Sequence, residues 1–442
     1  MPARTLHLNA FIWPGGYHES AWKVVPEPPE SVFDLRWYAE IAGIAERGRL
    51  DSLFLADNIA LAEHRLEYMP QTQFDPIDLL AALAGLTERI GLIATGSTTY
   101  SAPWDLARRF ATLDFVSGGR AAWNIVTTGS PLTAANFGLD AHPSHADRYA
   151  RAQEFVDVVQ RVWDAWDDDA LVGDKASGLW ARRDRVRAPR FEGEHFRVGG
   201  ALALPRSPQG RPVLVQAGSS PAGIALAARY AELVFSSQPT LEEAVGFRRE
   251  LRAQAAAAGR SPDAVHVLPS LVYTLAPTEA EARARQQELE ELASPEFRWR
   301  NLLWVIGLDP DDFDGDQPLP ESLLAGPAPT SQGERVFAAA REQRVPLREL
   351  ARRLAGTPTQ ATFAGTPEQL AAHIEEWWRA GAVDGFTLMP TTLPHGLRLF
   401  VDEVVPLLRR RGIFRSEYAG TTLRDHFGLE RPAARRAETA DV

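Results

Sequence analysis

The sequence predicts a single (β/α)8 barrel, and three observations point to it. Short apolar, β-branched runs alternate with longer helix-compatible stretches, the pattern of a parallel sheet built from βα units. Eight such runs occur, the number a closed barrel requires. The glycine-rich first turn of an open, doubly wound dinucleotide-binding sheet is missing.

The first strand is expected over Leu6–Ile12 and the second over Ser52–Asp57, after a helix through Trp37–Arg47. The third, Ile90–Thr99, follows a helix over Pro76–Glu88. The fourth, Ala121–Thr127, is entered through the turn Ser117-Gly118-Gly119-Arg120. A long amphipathic helix follows over His145–Trp166, with Phe155, Val158, Val159, Val162 and Trp163 at helical spacing on its buried face. Strands five to eight are expected over Val213–Gly218, Leu233–Ser237, His266–Leu275 and Gly385–Pro390. Residues 1–430 thus form one barrel, with insertions at about 167–212 and 290–365 and a loose tail over 431–442.

Composition narrows the function. A chain with 45% hydrophobic and 24% charged residues has the profile of a soluble globular protein. No apolar run approaches the roughly 18 residues of a membrane span, and the N-terminus lacks a signal-peptide pattern, so a cytoplasmic location is expected. The absence of cysteine excludes disulfides, thiolate nucleophiles and cysteine-ligated metals. A net charge of −11 argues against a nucleic-acid partner.

In a barrel of this kind the site lies at the C-terminal ends of the strands. Those ends carry Asp57 and Asn58 on strand two, Thr95 to Tyr100 on strand three, Asn124, Thr127 and Thr128 on strand four, and Gly218-Ser219-Ser220 on strand five. Ser220 before Pro221 reads as an N-cap with proline at the first helical position. A helix start with free N–H groups and a hydroxyl can hold a phosphate, although a plain cap has the same sequence. His145 and Tyr149, four apart, share one face of their helix. They could grip a phosphate or a ring edge, or be a solvent-exposed imidazole beside a packed phenol. Asp57 could tune a cofactor or merely cap a helix. His18, in the glycine- and aromatic-rich loop Trp13–Glu19, could line a substrate pocket or sit in a surface turn. Phosphate-loop, zinc-protease and nucleophile-elbow motifs are absent, and no His-carboxylate set fits a metal.

Several stretches carry a family resemblance. They include RLDSLFLADN (49–58), the run from Glu88 to Thr127, NFG (136–138), HADRYARAQEFVDVVQRVWDAW (145–166), RPVLVQAGSS (211–220), residues 365–390 and residues 404–429. In these the chain resembles the bacterial luciferase-like flavin monooxygenases, in the group of nitrilotriacetate, pristinamycin-synthesis and dibenzothiophene-sulfone monooxygenases. The resemblance implies a two-component enzyme that takes reduced FMN from a separate NAD(P)H-dependent flavin reductase and uses O2 to oxidise a small organic substrate at a C–N, C–S or C–H bond. It implies that Asp57 and Thr95 lie near the flavin ring and that His145, Tyr149, Ser219 and Ser220 hold the ribityl chain and phosphate. Asn124 would lie near the isoalloxazine, with His18 over it as a proton-moving group in the substrate pocket. It further implies a homodimer or homotetramer, with 404–429 as a candidate interface. Substrate choice is expected in Thr127–Ser130, the loop 59–75 and the 290–365 insertion. The alternatives are an F420-dependent oxidoreductase of the same fold, a metal-dependent barrel hydrolase and a flavin-binding protein without catalysis.

Overall fold

The computed structural model describes residues 4–71, 74–218, 220–328, 331–354 and 361–434. Eight parallel strands close into a barrel: β1 (His7–Phe11), β2 (Ser52–Leu55), β3 (Gly91–Ser97), β4 (Ala121–Val126), β5 (Val213–Ala217), β6 (Leu233–Ser236), β7 (His266–Leu275) and β8 (Gly385–Pro390). Closure is made by β8 against β1, with His7 opposite Gly385 and Ala10 opposite Leu388. The β6–β7 pairing, with Leu233 opposite His266, completes the ring. All eight expected strands form, most of them a residue or two shorter than their apolar runs.

Alternation along the strands separates two cores. Phe11, Phe54, Ile93, Val213, Val215, Leu268 and Met389 point into the barrel. Leu8, Leu53, Leu92, Trp123, Leu214, Leu271 and Leu388 point outward, against the helices. The helices include α1 (Leu35–Arg47), α2 (Pro76–Ala84), α3 (Pro103–Val116), α4 (His145–Trp163), α5 (Pro221–Tyr230), α6 (Leu241–Ala257), α7 (Glu279–Leu292), α8 (Pro295–Val305) and α9 (Pro367–Arg379). Most begin at a side-chain cap that takes up an otherwise unpaired N–H: Asp34, Asp75, Ser144, Ser220, Thr240, Thr278, Ser294 and Thr366. Helix α4 buries the apolar face read from its periodicity and ends at Trp163 rather than Trp166.

The two expected insertions are structured. Within 167–212, residues Leu171–Asp174 pair with Leu179–Ala181, and Phe191–Glu192 with Arg197–Val198, as antiparallel hairpins. Within 290–365, α8 and the helices Glu321–Leu324, Ser331–Gln343 and Leu347–Leu354 enclose a separate core containing Trp299, Leu303, Phe337 and Leu350. The last residues of that segment, Ala361–Gly365, form a further strand in parallel with β7, so the sheet has nine members although the barrel has eight.

The N-terminal end of the barrel is stoppered by the chain's own C-terminal segment. Leu423 and Phe427, on the short helix Leu423–Phe427, join the barrel interior. A β-carbon on Gly91 would stand 2.2 Å from the Leu423 side chain and 2.9 Å from the Asp51 carbonyl oxygen, so glycine makes room for the stopper. The Arg424 guanidinium, 2% exposed, makes a bidentate pair with Glu232 at 2.6 and 3.0 Å. Burial pushes the Glu232 carboxyl up, but Arg424 and the Leu214 N–H outweigh it and hold the group below its usual value. Fully buried Asp51 accepts from Leu8 N at 2.7 Å, meets His7 Nδ1 at 3.0 Å and pairs with Arg415. Residues 423–427, part of the stretch expected as a subunit interface, are therefore largely buried in their own barrel. Beyond them, Arg431 pairs with Asp168 at 2.6 Å, at the start of the expected tail; residues 435–442 lie outside the described residues.

Removing one partner of a buried ion pair leaves the other charge unmatched, at a cost of about 3–5 kcal/mol. Arg424→Ala is expected to lower unfolding stability by about that amount. Urea denaturation checks this, and a midpoint unchanged from wild type would show that the pair does not hold the stopper.

Candidate active site

Two inward-pointing side chains, Thr95 and Asn124, meet near the ends of β3 and β4. Thr95 Oγ1 donates to the Leu55 carbonyl at 2.8 Å and accepts from Asn124 Nδ2 at 2.9 Å. This fixes the Asn124 amide, whose buried Oδ1 has no hydrogen-bond partner among the described residues and is therefore open to a donor from a bound molecule. Asp57 follows β2 and is half-buried. Burial, reinforced by nearby Asp75 and only partly opposed by Arg109, pushes its carboxyl up to about 6. Beneath these groups, Phe11, Phe54 and Phe235 pack with ring centroids 5.4 to 6.4 Å apart and floor the site.

A second group gathers where α4 and α5 begin. The His145 ring is exposed and lies 4.6 Å from the Tyr149 ring. Ser220 Oγ caps α5 by accepting from Gly223 N at 3.1 Å. A β-carbon on Gly223 would stand 3.4 Å from the Tyr149 hydroxyl and 3.2 Å from Ser220 Oγ. The start of α5 therefore lies against the Tyr149 phenol and the Ser220 hydroxyl, and a helix N-terminus with hydroxyls beside it can hold a phosphate. The two helices are fastened by Tyr230, whose hydroxyl donates to the Gln153 carbonyl at 3.2 Å. Ser219 lies outside the described residues.

A cavity of about 300 Å³ opens at the same end of the barrel. It is lined by Trp13 and Pro14 after β1, residues 58–61, 70 and 71 after β2, and Asn136 after β4. Asn136 Nδ2 donates to the Ile59 carbonyl at 3.0 Å and so ties the third of these segments to the second. The insertion holds this roof in place. The Arg65 guanidinium stacks 4.0 Å from the Trp304 ring centroid and donates to Asn301 Oδ1 at 2.6 Å. The Tyr68 and Phe297 rings lie 5.5 Å apart, and Trp22 Nε1 donates to the Tyr68 carbonyl at 2.9 Å.

The sequence-derived residues therefore fall into two groups, Asp57, Thr95 and Asn124 at the strand ends and His145, Tyr149 and Ser220 at the helix starts. His18 is in neither and does not line the cavity. Its Nδ1 accepts from Ser20 N at 3.1 Å and its Nε2 faces Glu290 at 3.5 Å, which joins the first loop to the insertion. The cavity draws on two loops that the sequence analysis singled out, Trp13–Glu19 and 59–75, and adds Asn136, which stands in the NFG stretch but was given no role there. Sequence reasoning missed the hydrogen bond of 2.7 Å between the Tyr100 hydroxyl and His142 Nδ1. Among the described residues no group of three His, Cys, Asp or Glu could hold a metal ion.

Strand-end polar groups, a capped helix start and a roofed cavity gather at the C-terminal face of the barrel, the end at which (β/α)8 enzymes carry their active sites. Comparison with known proteins supplies the rest. Residues 17–384 match the family described as "Luciferase-like monooxygenase". The chain is 42% identical to N-acetyl-S-(2-succino)cysteine monooxygenase of Bacillus subtilis, over 98% of this chain and 99% of the relative. It is also 42% identical to nitrilotriacetate monooxygenase component A of Aminobacter aminovorans, over 97% of each. Among solved structures, a riboflavin lyase with modified FMN and riboflavin superposes with a TM-score of 0.87 at 32% identity, covering 98% of this chain and 97% of the other. The chain belongs to the luciferase-like monooxygenases, within their flavin-dependent, two-component branch.

The raised pKa of Asp57 has a sign that can be tested. A carboxyl shifted above its unfolded value favours its protonated form in the folded state, so its contribution to stability is full below about pH 4 and declines as pH rises through about 6. Asp57→Asn is expected to remove that decline. Urea unfolding at pH 4, 5, 6 and 7 checks this, and identical pH dependence in variant and wild type would refute the shift.

Proposed function

We infer that this enzyme takes reduced FMN from a separate NAD(P)H-dependent flavin reductase and, with O2, oxygenates a small organic molecule held in the roofed cavity. The observation that carries the reading is the pairing of the Tyr149–Ser220 helix start with the open Asn124 oxygen on one face of the barrel. One is suited to a phosphate and the other to a ring N–H, as an FMN molecule would require.

In this reading the start of α5, Ser220 and Tyr149 bind the phosphate, with His145 beside them. Asn124 accepts a hydrogen bond from the ring, and Thr95 holds the Asn124 amide in the orientation that permits this. Asp57 sets the charge at the ring's edge. When bound, reduced FMN supplies the electrons that activate O2. The chain's own work is to exclude water, which the Phe11, Phe54 and Phe235 floor and the Arg65–Trp304 roof support. His18 acts through position, by holding the loop that carries Trp13 against Glu290.

An anaerobic titration of the full-length protein with reduced FMN tests the reading. Binding is expected, followed, once O2 is admitted, by uptake of one O2 per bound reduced FMN, and by sustained uptake only when a flavin reductase and NAD(P)H regenerate the reduced cofactor. Tyr149→Phe with Ser220→Ala is expected to weaken reduced FMN about tenfold or more, at roughly 1 kcal/mol for each hydrogen bond lost, and to weaken riboflavin, which has no phosphate, much less. Equal losses for the two flavins would overturn the phosphate assignment, and no binding of reduced FMN would overturn the function.

A further inference from the structure

Residues 127–144 join the end of β4 to the start of α4, and both halves of the site depend on them. Asn136 lines the cavity, and His145 opens α4 beside Tyr149. The short helix Thr133–Asn136 buries Thr133 and Ala134. Beyond it Phe137 is 47% exposed and Leu139 is exposed as well, so burial alone does not hold the chain there. A connection of this length needs specific contacts to keep one shape.

Tyr100 supplies two of them. It stands three residues past β3 and is fixed to the barrel mouth. Its N–H donates to Ser97 Oγ at 3.2 Å, and Ser97 Oγ lies 2.7 Å from Thr128 Oγ1. The Tyr100 ring stacks on Phe137 with centroids 4.7 Å apart, and Phe137 adjoins Asn136. The Tyr100 hydroxyl lies 2.7 Å from His142 Nδ1. Burial holds the Tyr100 phenol above its usual pKa, and burial together with Arg148 holds the His142 imidazole below its own. Both groups are neutral at pH 7, so the phenol donates and the imidazole accepts. From His142 to His145 the chain runs through Pro143, whose ring fixes its φ, and Ser144, the N-cap of α4. A displacement at His142 therefore reaches the first turn of α4.

We propose that Tyr100 is a positioning residue that couples the two halves of the site. Its ring holds the cavity wall at Phe137 and Asn136, and its hydroxyl holds the start of α4 through His142. Occupying one half steadies the other, and because coupling between sites is reciprocal, reduced flavin and a molecule in the cavity strengthen each other's binding. The proposal rests on the flavin reading for what the coupling serves, but not for the coupling itself.

The test is an anaerobic titration of reduced FMN into the full-length protein and its variants. Tyr100→Phe keeps the stacked ring and removes the hydrogen bond, and is expected to weaken reduced FMN about fivefold, the effect of one hydrogen bond. His142→Leu is expected to match it, and His142→Gln, which can still accept from the phenol, to restore most of the affinity. Asn136→Ala cuts the tie to Ile59 on the cavity side. It is expected to weaken reduced FMN as well, and the double variant with Tyr100→Phe to lose no more than Tyr100→Phe alone. Wild-type affinity in Tyr100→Phe or in Asn136→Ala, or losses that add in the double variant, overturns the proposal. A wild-type protein that takes no reduced FMN refutes the flavin reading, and hydrogen exchange then decides the coupling. Asn136→Ala is expected to speed exchange of the Arg148 amide, which donates to the Ser144 carbonyl at 3.0 Å, when Tyr100 is present but not in Tyr100→Phe. Exchange that is unchanged by Asn136→Ala, or changed equally in both backgrounds, counts against the coupling.

Discussion

The hydrogen-bonded seam between the first and last strands is the constraint on which the rest of this molecule depends. β1 and β8 are separated by almost the whole chain, yet Gly385 passes so close to the His7 backbone that a β-carbon would stand 1.9 Å from its carbonyl oxygen. Once that seam forms, the sheet has no free edge within the ring, and every strand ends at the same mouth. Residues far apart in sequence, such as Thr95 and Asn124, then stand side by side because their strands are neighbours. The seam also explains the stopper. A closed barrel has two mouths, and the Leu423–Phe427 helix fills one, leaving the other for chemistry.

Much of this was legible in the sequence because barrel strands have a simple physical signature. Their outer side chains meet helices and their inner ones meet each other, so each strand is nearly continuously apolar and stands out from its surroundings. Directionality came with it, since parallel strands of known order put their C-terminal residues at one mouth. That sufficed to select Thr95, Asn124 and Asp57, and the Ser220-Pro221 cap selected the start of α5.

The illegible parts share a different cause. Ala361–Gly365 has little apolar character of its own and becomes a strand because the second half of β7 offers it a partner. The 290–365 segment reads as loop because of its Asp- and Pro-rich stretches, while the spacing of Phe297, Trp299 and Leu303, which builds α8, is too short to stand out. The cavity was hidden for a related reason. Its lining comes from three loops, and nothing in a local window shows that Asn136 bonds to Ile59 or that Arg65 stacks on Trp304. His18 illustrates the limit: its loop contributes Trp13 and Pro14 to the cavity, but whether its own ring faces the cavity or Glu290 is decided by a helix more than 270 residues away.

The insertion between β7 and the Ala361–Gly365 strand has a hydrophobic core separate from that of the barrel. It meets the loop after β2 through a few aromatic and polar contacts, so roof and barrel are mechanically distinct parts. Substitutions within the insertion can tilt or reshape the ceiling of the cavity while leaving the strand-end groups undisturbed. An enzyme built this way can acquire a new substrate by remodelling its architecture from above, with its reaction chemistry kept intact below.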